Sequence, residues 1–72
     1  MDIFRMIFVY FVEIRHPRTT QWVTIHSLEW ETTESYADAR IYAQRVRDDH
    51  PDSRVRIVEN VPELPIEYIE IP

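Results

Sequence analysis

From Ile3 onward the even positions, Phe4, Met6, Phe8, Tyr10, Val12 and Ile14, form an unbroken apolar row. Side chains alternate between the two faces of a strand, so this row is expected to face a core. The odd positions, Ile3, Arg5, Ile7, Val9, Phe11, Glu13 and Arg15, are charged toward the ends and apolar through the middle. A strand with one solvated face carries polar residues there instead. Both faces of this strand therefore need cover, and a single short helix elsewhere in 72 residues supplies only one. Ile7, Val9 and Phe11 are expected to meet a partner, a second copy, or a fold-back of the tail.

A chain of this length forms one domain, residues 1–72, and buries only about 60% of its unfolded surface. Cysteine is absent, so neither a disulfide framework nor a thiolate metal site adds stability. Dense packing and oligomerisation are the remaining routes. Glycine is also absent and Asn60 is the sole asparagine. Turns that need positive φ must then use Asn or Asp, or be avoided. The formal net charge is −5, all eight basic residues are arginine, and none follows Arg56. Binding nucleic acid needs a clustered positive footprint, so no nucleic-acid partner is expected. The apolar run Met6 to Val12 is at the short end for a signal core, no small-residue cleavage site follows, and Glu13 and Arg15 close it. It is far short of the roughly 20 residues that span a bilayer. The stretch reads as a strand in a cytoplasmic protein with no membrane partner.

Strand one is predicted over Ile3 to Ile14, ended by His16-Pro17. His16 to Gln21 is a hairpin loop, and Trp22 to Trp30 a second, antiparallel strand, with Val23 and Ile25 on one face and Trp22, Thr24, His26, Leu28 and Trp30 on the other. Ser35-Tyr36-Ala37-Asp38 has the form of a capping box with Asp in place of Glu, opening a helix over Glu34 to Asp49. Tyr36, Ala39, Tyr42, Ala43 and Val46 form one stripe at helical periodicity, with Ile41 on the opposite side. His50-Pro51-Asp52-Ser53 stops it. Strand three runs Arg54 to Val61, with Val55 and Ile57 facing one way and Arg54, Arg56 and Val58 the other. The last segment, 62–72, alternates over Ile66 to Ile71 between prolines, which confines it to an edge strand or an extended arm. The fold class is α+β: a small antiparallel sheet of three to four strands with one helix packed on one face, β-β-α-β plus the C-terminal arm.

No catalytic or cofactor signature stands out. His16, His26 and His50 lie in a loop, on a strand and at a helix end, without metal-ligand spacing. His26 reads as a packed structural residue or part of a binding surface. No serine sits in a Gly-flanked elbow, and a glycine-free chain cannot build a phosphate-cradling loop. No enzyme, metal or cofactor is expected. Glu59, Glu63, Glu67 and Glu70 recur at helical spacing, but Pro62 and Pro65 forbid a helix. They form an acidic edge, either merely solvated or able to meet a basic partner. Trp22 and Trp30 carry a similar double reading, as core or as binding hot spots.

The segment Glu34 to Glu59, with its Ser-Tyr-Ala-Asp-Ala-Arg helix start, Asp49-His50-Pro51 stop and Arg54-Val55-Arg56-Ile57-Val58 strand, resembles small phage-encoded proteins of β-β-α-β form. Some of these inhibit host defence, including anti-CRISPR proteins. The resemblance lies in pattern over roughly a third of the chain, and no functional residue carries over from it. It implies a small acidic protein-binding module, an inhibitor that occludes a host defence protein such as a CRISPR effector in the host cytoplasm. The expected contact residues are Ile7, Val9 and Phe11 on strand one, Arg40 and Ile41 on the exposed helix, and Glu63, Glu67 and Glu70. The alternative is a structural homodimer or a regulatory, antitoxin-like interaction protein without an inhibitory role.

Overall fold

The computed structural model describes residues 9–25, 35–61 and 63–72. These form β1 (Val9–Arg15), β2 (Val23–Thr24), α1 (Tyr36–Asp49), β3 (Arg54–Asn60) and β4 (Glu67–Ile71). The strands make one antiparallel sheet in the order β2-β1-β3-β4, and α1 packs on one face of it. This is the α+β arrangement expected from the sequence. Ile3 to Phe8, most of the expected second strand from His26 to Trp30, and Glu34 lie outside the described residues.

Pairing turns the even-position row of β1 into the core. Val12 lies opposite Ile57 and Ile14 opposite Val55, while Val55 and Ile57 lie opposite Ile71 and Ile69 on the other side. Val12, Val55 and Ile57 are wholly buried, which stabilises by about 1.5–3 kcal/mol for each such side chain. Above them α1 sets Ala39, Ala43 and Val46 against the sheet. Two alanines in this stripe let the helix backbone approach closely. Tyr42 packs at the margin, and the Tyr36 ring meets Tyr10 edge-on with centroids 5.7 Å apart. The outer side of the helix carries Ile41, 63% exposed.

Local chemistry defines the ends of α1. The Ser35 hydroxyl accepts the Asp38 N–H at 3.2 Å, with Ser35 in the extended conformation of an N-cap. The helix accordingly starts at Tyr36. At the other end Arg47 donates to the Pro51 carbonyl at 3.0 Å, satisfying an acceptor past the last turn. Ser53 is buried and its hydroxyl lies 3.3 Å from His16 Nδ1. That contact ties the β1–β2 loop to the turn that follows the helix. His16 and His50 are exposed, as turn residues should be.

The C-terminal arm pairs with β3 of its own chain and forms an edge of the sheet. The connection corrects one expectation. The sole described residue with positive φ is neither Asn nor Asp but Glu63, at φ 68°. The Leu64 N–H bonds to the Val61 carbonyl at 3.2 Å, so Glu63 is the third residue of a turn whose second position in the sequence is proline. Proline at the second position and positive φ at the third are the marks of a type II turn. Asn60 lies inside β3, one residue too early to serve.

Candidate protein-interaction face

Three adjacent cross-strand rows make up most of the face of the sheet opposite α1, beyond the pair of Val9 and Asn60 at the end of the ladder. Phe11, Val58 and Tyr68 align in an apolar row. Next to it run Thr24, Glu13, Arg56 and Glu70. Arg15 and Arg54 lie opposite one another in the third row. Alternation places all of these away from the helix, and Trp22, just before β2, joins them.

Arg56 is the centre of the face. Its guanidinium carbon sits 4.0 Å from the Trp22 ring centroid and 4.1 Å from that of Tyr68, well within the range of cation–π attraction. Glu13 holds it from the side: Oε1 accepts from Arg56 Nε at 2.8 Å and lies 2.7 Å from Nη2. The other oxygen, Oε2, accepts from the Thr24 hydroxyl at 3.3 Å. Arg54 forms a second, more exposed pair with Glu70, donating from Nε to Oε2 at 2.8 Å and from Nη2 to Oε1. The hydrogen bond from Arg54 holds the Glu70 carboxyl below the usual carboxylate range, and the charges of Arg15 and Arg56 act in the same direction. The same bond raises Arg54 above its ordinary value.

Of the residues expected to make contacts, Phe11 lies half-buried on this face. Val9 begins β1, and Ile7 lies outside the described residues. Arg40 and Ile41 sit together on the outer side of α1, in a shallow open depression shared with Gln44, Arg45, Asp48 and Asp49. The three glutamates do not share a face. Glu63 occupies the turn, Glu67 lies opposite Glu59 on the helix side of the sheet, and Glu70 is on the far side, paired with Arg54. Glu59 itself accepts a hydrogen bond from the buried Tyr10 hydroxyl, and burial followed by this bond pushes the Tyr10 pKa above 10.0.

Tyr68, Arg54 and Arg56 were not among the expected contact residues, and Trp22 carries both readings, core or binding hot spot. The signal for them was the alternation of Arg54 and Arg56 with Val55 and Ile57, together with Trp22 and Thr24 sharing a face. Joining the two required knowing that β1 lies between β2 and β3. Among the described residues no group of three His, Asp or Glu could hold a metal ion, and no helix is long and apolar enough to cross a membrane. The chain matches no family model, no curated protein and no solved structure.

Proposed function

We propose that this chain is a small protein-binding module of the inhibitor type, which docks through the face of its sheet opposite α1 and occludes the working surface of a host defence protein such as a CRISPR effector. The observation that carries this reading is the stack of Arg56 between Trp22 and Tyr68. Trp, Tyr and Arg are the residues most enriched at binding hot spots. Here Arg56 is already held by Glu13 between the two rings before any partner arrives, which lowers the entropy cost of association. Tyr68 remains 56% exposed, so the stack is accessible. The inhibitory role is supported by the pattern shared with small phage-encoded inhibitors over Glu34 to Glu59. The test is phage plating on cells carrying a defined CRISPR system, with and without this protein expressed. Restored plating that is lost in Trp22→Ala and Tyr68→Ala variants of normal stability is the expected result. Full interference across a panel of defence systems overturns the inhibitor role.

A homodimer is a second reading, favoured by the β4 edge. One side of β4 has no partner strand among the described residues, and Leu64 and Ile66 beside it are 61% and 48% exposed. Unpaired edges of this type accept a further strand. Light scattering across a concentration series decides it, since a mass that stays at one chain rules the dimer out.

A further inference from the structure

Among the described residues, the charged part of the face opposite α1 is one carboxylate short. Three guanidiniums gather around the Trp22 ring, with Arg56 at 4.0 Å, Arg54 at 5.5 Å and Arg15 at 5.7 Å from its centroid. Arg56 has Glu13 and Arg54 has Glu70. Arg15 forms no ion pair among the described residues, although it lies directly opposite Arg54, an arrangement of like charges that destabilises a strand pair. Its Nε is enclosed and has no hydrogen-bond acceptor. Buried polar groups are nearly always bonded, so an orphan of this kind marks a missing partner.

We propose that Arg15 is the seat of a carboxylate supplied by a partner protein, an Asp or Glu side chain or a chain terminus, completing a ladder of three Arg–carboxylate pairs around Trp22. This rests on reading the face opposite α1 as a protein-binding surface, and it names the chemistry that the face recognises. Glu13 and Glu70 show which anion suits these guanidiniums: each approaches its arginine from the Nε side. A third carboxylate on Arg15 repeats that geometry, taking Nε and one terminal nitrogen. Because Nε is enclosed, a carboxylate reaches it only if the cover over it shifts. Phosphate is the poorer fit. A dianion would sit among Glu13, Glu70 and a chain of net charge −5, whereas a single carboxylate balances the one guanidinium left over.

The experiment is an NMR titration of the 15N-labelled full chain, following the arginine Nε–H signals. Sodium acetate is compared with sodium chloride and with inorganic phosphate at constant ionic strength, which keeps general screening equal. The Arg15 signal is assigned by its loss in Arg15→Gln. Acetate is expected to shift it saturably with a Kd of about 10–100 mM, the strength of a single charge-assisted contact, while chloride does not. Arg15→Lys, which keeps the charge and loses the fork, should weaken acetate binding several-fold with an unchanged fold by circular dichroism. The proposal is overturned by an acetate response no different from chloride, by phosphate binding more tightly than acetate, or by saturation that persists in Arg15→Lys unchanged. The titration needs no partner, so a negative result removes the carboxylate seat and leaves the protein-binding reading to its plating assay.

Discussion

The two arginine–glutamate pairs on the face opposite α1 have the same chemistry at different depths, and depth decides their worth. The side chains of Arg54 and Glu70 are 49% and 45% exposed, those of Arg56 and Glu13 20% and 18%. An exposed pair contributes little because water screens it, so Glu70→Ala should cost less than about 1 kcal/mol. Glu13→Ala strips the carboxylate from a guanidinium held between two rings and away from most solvent, and should cost about 1–3 kcal/mol. Urea unfolding of the two variants side by side checks the order; equal losses would mean that depth does not matter here. A second prediction concerns Tyr10, whose pKa the folded chain raises above 10.0 through burial and its bond to Glu59. The folded state therefore holds this proton more tightly than the unfolded one. Its contribution to stability is complete below pH 10 and is lost as pH rises through the folded pKa. Between pH 9 and 11 the wild type should lose stability more steeply than Tyr10→Phe, and parallel curves would refute the assignment.

Among the described connections, the turn from β3 to β4 is the strained one. With no glycine in the chain, the left-handed position falls to Glu63, a conformation that costs an ordinary L-residue about 1–2 kcal/mol. Glu63→Gly removes that cost and adds unfolded-state entropy of about 0.5–1 kcal/mol. The net expectation is a small gain in melting temperature, in the direction opposite to most glycine substitutions. A lower melting temperature would show that the Glu63 side chain contributes something the turn itself does not. The helix is the converse case, an element whose cap, end and central buried stripe were legible in the sequence, although it starts at Tyr36 rather than Glu34 and leaves Tyr36 exposed. Ser35 and Asp38 supplied the cap, and the spacing of Ala39, Ala43 and Val46 supplied the face.

For the molecule as a whole, the arm is part of the fold. Ile71, next to the last residue, is 2% exposed and belongs to the same core as Val12 and Ile57. Ile71→Ala should cost about 2–5 kcal/mol, as in other buried aliphatic truncations. Leu64→Ala, a few residues earlier and exposed, should stay within about 0.5 kcal/mol. Thermal melts of the two separate an arm that completes the core from one that merely lies on it.

The period-two rows of β1 and β3 and the helical stripe of α1 follow from local rules that act over a few residues. The sequence by itself therefore determined the α+β class, the core faces of β1, β3 and α1, and the cap of the helix. It did not determine strand order, because which strand pairs with which depends on contacts between residues far apart in the chain. Glu13 and Arg56 are 43 residues apart, and nothing near either one announces the other. Only the tertiary structure brought Trp22, Arg56 and Tyr68 into one stack, split Glu67 from Glu70 across the sheet, and left Arg15 without a carboxylate among the described residues. A candidate site made of single residues from separate strands exists only once the sheet is assembled, since pairing is what sets those side chains at contact distance.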